Sequence, residues 1–146
     1  MKNFLGLLDT NPVIDIDIVV TTITDNGTPL VRLAINQEEF WNDRLSNTLK
    51  ISKQVKLLEP INITVSMDGK NYSQEKETAV VIETIKIDGF EIVPQWTHLA
   101  TYENEHNYTQ PTAYLGFNGV WKLSISEPFY RWRHKVTGQG WLLDPT

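Results

Sequence analysis

The chain has 146 residues, 40% hydrophobic and 21% charged, a globular composition sized for a single domain spanning 1–146. Thirteen Lys and Arg against eighteen Asp and Glu give a formal charge of −5, which argues against nucleic acid as a partner, since that partnership draws on excess cationic side chains. The absence of cysteine excludes disulfides, thiol catalysis and Cys-ligated metal centres, and no apolar run approaches the ~18 residues of a membrane span.

The dominant pattern is alternation with period two. From Val13 to Thr24, Ile14, Ile16 and Ile18 alternate with Asp15 and Asp17. A strand sorts these residues onto opposite faces, whereas a helix would spread them around its axis. Asp25-Asn26-Gly27 is a turn signal, and Leu30 to Ile35 reads as the returning strand. Residues 36–45 admit two readings. Asn36 with Glu39 could cap a helix, or Asn36-Gln37 could turn the chain into a strand over Glu39 to Asn42. The strand is favoured because strands flank it on both sides. Leu49 to Leu58 suggests a strand with a bulge near Ser52, and Ile61 to Met67 alternates strictly before Asp68-Gly69. Ala79 to Ile87 is a long strand closed by Asp88-Gly89, and Phe90 to Val93 follows before Pro94. Val120 to Ser126 alternates again. Phe129 to His134 and Trp141 to Leu143 read as the last short strands. Short strands punctuated by Gly, Pro, Asn and Asp predict an all-β fold, an antiparallel two-sheet sandwich of jelly-roll type.

The stretch from Pro94 to Gly119 is too long for a routine connection, and loops of that length are disproportionately functional. Eleven of the fifteen aromatic residues lie from Phe90 onward, as do all three histidines. Aromatic faces with polar rims suit sugars, because they desolvate C–H faces while amides and carboxylates bond the hydroxyls. Trp96, Tyr102, Tyr108 and Tyr114 are therefore the candidate stacking platforms, with His106 and Asn118 as hydrogen-bonding partners. Trp121 and Phe117 read instead as core.

Three further features compete for a role. Glu103, Asn104, Glu105, His106 and Asn107 cluster hard oxygens that could suit calcium, and His98, His106 and Glu103 or Glu105 could suit zinc or iron. Such clusters also occur on plain solvated loops. Arg131-Trp132-Arg133-His134-Lys135, read as an edge strand, places Arg131 and Arg133 on one face and Trp132 and His134 on the other. Outward charges of that kind discourage edge pairing. No nucleophile elbow, phosphate loop or HExxH metal motif occurs, so no catalytic residue is assigned and a non-enzymatic role is expected.

Glu77 to Gly89 resembles the strand and V-x-V-D-G-type turn of calcium-dependent xylan-binding carbohydrate-binding modules. Ile14 to Thr24 with Leu30 to Ile35 is similar to their opening strands, and Tyr114 to Trp121 to the W-x-x-x-N-G-x approach to a late strand. The resemblance implies a jelly roll that holds sugar hydroxyls partly through calcium, using a long loop. It departs from the pattern at Asn26-Gly27, where the acidic ligand after a Gly-Gly turn has no match, so the metal stays open. Ile85 to Tyr102 and Tyr114 to Pro145 also resemble small β-rich proteins of marine tailed phages. The leading expectation is non-catalytic glycan binding. The alternative is a structural protein, such as a virion component, that forms homo-oligomers through its sheet edges. Met1 to Asp9 has too short an apolar stretch for a secretory leader, so cytoplasmic synthesis is expected.

Overall fold

The computed structural model describes residues 13–24, 27–68, 78–104, 109–110, 112–126 and 128–137. The period-two pattern becomes strand β1 (Val13–Thr24), whose Ile14, Ile16, Ile18 and Val20 are buried while Asp15 faces out. Next come β2 (Leu30–Ile35), β3 (Glu38–Arg44), β4 (Leu49–Lys56), β5 (Ile61–Asp68), β6 (Thr78–Ile87) and β7 (Phe90–Val93). Then follow β8 (Thr101–Glu103), β9 (Thr109–Gln110), β10 (Tyr114–Leu115), β11 (Gly119–Ile125) and one helix, α1 (Phe129–Thr137).

The strands form two antiparallel sheets. In the first the order is β10-β6-β1-β4, with β7 also paired to β6; in the second it is β3-β2-β5-β11-β8-β9. The architecture is the expected all-β sandwich, consistent with a jelly roll. Between the layers lie the inward rows of β1, β5, β6 and β11, with Trp121, Tyr102 and Phe129 the largest fully buried side chains. Burying an aliphatic side chain of this kind stabilises by about 1.5–3 kcal/mol, so alternation alone is enough to sort the faces.

Two tight turns fix register. Asn36 and Gln37 both have positive φ, 50° and 70°, and so do Asp88 and Gly89, 51° and 76°. Paired left-handed residues match the twist of a two-residue hairpin. The turn therefore wins over the helix cap at residues 36–45, and β3 is the strand that the flanking pattern favours. Asn36 also clamps the start of β5. Its Oδ1 accepts the Asn62 amide at 2.8 Å, and its Nδ2 donates to the Pro60 carbonyl at 3.1 Å.

Two expectations are corrected. The bulge is not near Ser52, since β1 and β4 pair without a shift from Val13↔Lys56 to Val20↔Leu49. The shift between β1 and β6 instead falls where Val19↔Thr84 gives way to Val20↔Ile82, and the register skips Glu83. Residues Phe129 to His134 are helical, not an edge strand. Pro128 lies just ahead of the helix and its carbonyl accepts the Trp132 amide at 3.1 Å, a starting position that proline tolerates. Phe129, Trp132 and Val136 then share one face against the core, with Phe129 6.3 Å from Phe90 and 6.0 Å from Trp132. His134 and Lys135 fall in the last turn, where cations complement the helix dipole. The expected strand at Trp141 to Leu143 lies outside the described residues. No described helix is long and apolar enough to cross a membrane.

Candidate functional site

The segment from Pro94 to Gly119 closes one side of the sandwich by crossing between the sheets. It leaves β7 in the first sheet, makes a single 3-10 turn (Thr97–Leu99), and enters β8 and β9 in the second. It returns to the first sheet as β10 and crosses again into β11. The aromatic residues take their places from this path.

Tyr102 belongs to the core. It pairs with Trp121 across β8 and β11, is 0% exposed, and stacks on Phe117 with ring centroids 4.3 Å apart. A ring sealed in this way offers no face to a sugar, so its expected role as a solvent-facing platform is corrected. Trp121 is 0% exposed, as a core residue should be. Trp96 is half-buried against the core, its ring 5.9 Å from that of His98. Its Nε1 is enclosed, with no hydrogen-bond partner among the described residues. His106 and Tyr108 lie outside the described residues. Asn118 is half-buried immediately before β11.

Among the described residues Tyr114 is the exposed ring. It is 41% exposed, beside the buried Leu115 on β10. Its position is set from below. The Tyr114 amide donates to Thr112 Oγ1 at 3.0 Å, and the Thr112 carbonyl accepts the buried Trp121 Nε1–H at 2.7 Å. The ring also lies against Gly116, where a Cβ would stand 2.9 Å from Tyr114 Cε1 and 3.3 Å from Cδ1. Only glycine lets the ring settle there undisturbed. A second close approach, at Gly119, would put a Cβ 2.5 Å from the Glu103 carbonyl oxygen. It brings the end of β8 tight against the start of β11, beside Asn118.

At the far end of the molecule Arg133 lies over the Phe90 ring, its Cζ 4.3 Å from the centroid. The Asp88 carboxyl nearby is held above the usual carboxylate range, chiefly by desolvation and then by the Asp15 charge, while Arg133 acts in the opposite direction. Among the described residues no three His, Asp or Glu side chains converge on one point. Of the carboxylates and histidines expected to hold a metal, Glu103 and His98 are described and Glu105 and His106 are not.

No family model matches the chain and no curated protein matches it. Among solved structures it is similar to vCBM60, described in work on two families of calcium-dependent carbohydrate-binding modules. The identity is 12%, the match covers 78% of this chain and 91% of that one, and the TM-score is 0.48. A second structure, vCBM60 in complex with galactobiose, aligns at 14% identity over 77% of this chain and 97% of that one, with TM-score 0.48.

Proposed function

We propose that the chain is a non-catalytic carbohydrate-binding protein, with the Tyr114 ring at the centre of its site. The observation that carries this reading is that ring's preparation. An exposed aromatic is common, but this ring is seated on a glycine, and its backbone amide is tied through Thr112 to a core tryptophan. A sugar stacking on it would not have to order a mobile side chain, which removes a cost otherwise charged against binding. Asn118, and His106 and Tyr108 on the same segment, supply the remaining polar and aromatic contacts in this reading.

The rival reading, assembly through sheet edges, meets opposition from side-chain charge. The edge strand β3 carries Glu38, Glu39, Asp43 and Arg44, and the edge strand β4 carries Lys50, Lys53 and Lys56. Charged edges discourage added strands.

The test is a glycan array probed with the unaltered protein and with Tyr114→Ala. The unaltered protein should give glycan-dependent signal, and Tyr114→Ala should lose most of it at an unchanged melting temperature. An equal signal from both overturns the assignment of the ring. Repeating the array with EDTA tests calcium separately, since retained binding removes the metal from the reading.

A further inference from the structure

We propose that the outer face of the first sheet, around the bulge at Glu83, binds a neutral oligosaccharide laid across the strands from Tyr114 toward Thr48. This rests on the carbohydrate-binding reading and adds to it a strip, a direction and a ligand charge.

The register places the strip. Tyr114 pairs with Val81, and Val81 with Thr21. Thr21 Oγ1 lies 3.3 Å from Thr48 Oγ1, just ahead of β4. Partners in a ladder share a face, so these side chains form one row over four neighbouring strands. Three inter-strand steps make about 14 Å, the span of about three linked sugar rings. Every side chain in the row is formally uncharged.

The register shift supplies the polar anchor. The ladder between β1 and β6 skips Glu83, which is exposed. A bulge bends the strand and re-aims the side chain it leaves over. Two other carboxylates of this face, on β1, are engaged, and Glu91 lies on β7 opposite Lys86, away from the strip. Asp17 accepts the Ser52 hydroxyl at 2.6 Å, and Asp15 accepts from Gln54 Nε2 at 3.1 Å. Among the described residues Glu83 makes no hydrogen bond or ion pair. It is an acceptor left over beside an aromatic platform and two hydroxyls, a set that matches sugar hydroxyls and C–H faces. Its negative charge opposes an acidic glycan beside it; Lys50 and Lys86 occupy neighbouring rows of the same face, and the uncharged row itself is what favours a neutral ligand.

The test uses neutral xylo-, gluco- and galacto-oligosaccharides of one to four rings, with oligogalacturonate as the acidic counterpart, followed by titration calorimetry. Affinity should rise up to three rings and level off, and oligogalacturonate should not bind. Glu83→Gln should weaken binding by about tenfold, the usual worth of a hydrogen bond to a charged group. Thr48→Lys should remove the gain from the third ring. Ser124→Lys, on the outer face of the second sheet, should change nothing. If Tyr114→Ala weakens binding but Glu83→Gln and Thr48→Lys do not, the strip is wrong and the ring assignment survives. If no neutral oligosaccharide binds the unaltered protein, both fall.

Discussion

Trp121 supports both the core and the Tyr114 ring, so two substitutions there separate packing from positioning. Trp121→Ala deletes a fully buried indole, which costs about 3–5 kcal/mol. At about 2–4 °C per kcal/mol for a chain of this size, the melting temperature should fall by about 6–20 °C. Trp121→Phe keeps most of the buried ring but removes the Nε1–H that the Thr112 carbonyl accepts at 2.7 Å. Losing that bond and leaving a part-buried carbonyl unsatisfied should cost about 1–3 kcal/mol. The second effect is the informative one. Thr112 also accepts the Tyr114 amide, so Trp121→Phe should loosen the exposed ring and weaken glycan binding, although residue 121 touches no ligand. Differential scanning fluorimetry gives the stability arm, and calorimetric titration with the best-binding oligosaccharide gives the other. Unchanged affinity in a Trp121→Phe protein whose melting temperature has dropped as expected would refute the link from core to ring. An unchanged melting temperature for Trp121→Ala would refute the core placement itself.

Three other outcomes follow from the same structure. Gly116→Ala should displace the Tyr114 ring and weaken glycan binding with little loss of stability, because the new Cβ meets the ring edge at 2.9 Å; titration beside a thermal melt checks it. Tyr102→Ala should destabilise by about 3–5 kcal/mol, like the loss of any large buried aromatic, and urea denaturation should show it; a loss below about 1 kcal/mol would falsify its placement in the core. Asp88→Asn should raise stability at neutral pH. The Asp88 carboxyl is held above its ordinary 3.8 in the folded chain, so the natural protein loses stability as pH rises from below 3.8 through the folded value. Asn carries no such charge and tolerates the positive φ of this turn, so the advantage should shrink as pH falls below 3.8. Urea midpoints measured across that range test the sign.

The sandwich is readable because burial on one face imposes period two, which β1, β5 and β11 carry in their residues, while β6 reads as a long apolar-rich strand. β3 was readable from its neighbours and from Asn36-Gln37, a pair suited to left-handed backbone. The helix was misread because Arg131 to His134 alternates charge and aromatic over a window too short to separate the two periods. Its better signal was Pro128 followed by Phe129, Trp132 and Val136 at helical spacing. Tyr102 sits in a three-residue strand between Thr101 and Glu103, where no pattern has room to declare a face. The special position of Glu83 is not legible in the sequence. A bulge is a property of two strands in register, and one strand's residues do not contain it.

The route of residues 94–119 gives the sandwich a bound spine. On that side the backbone passes from layer to layer three times. On the far side the backbone crosses twice, between β3 and β4 and between β4 and β5, beside a Lys53–Glu38 ion pair with contacts of 3.2 Å and 3.3 Å to its two oxygens. Such a partly exposed pair resists parting only weakly. Transient opening should therefore swing like a book cover, the β3–β4 margin lifting first while the margin bearing Tyr114 stays shut. Amide exchange would show the asymmetry as faster loss of protection along β3 and β4 than along β6 and β11, and the margin bearing Tyr114 would keep its shape through the motions that loosen the rest.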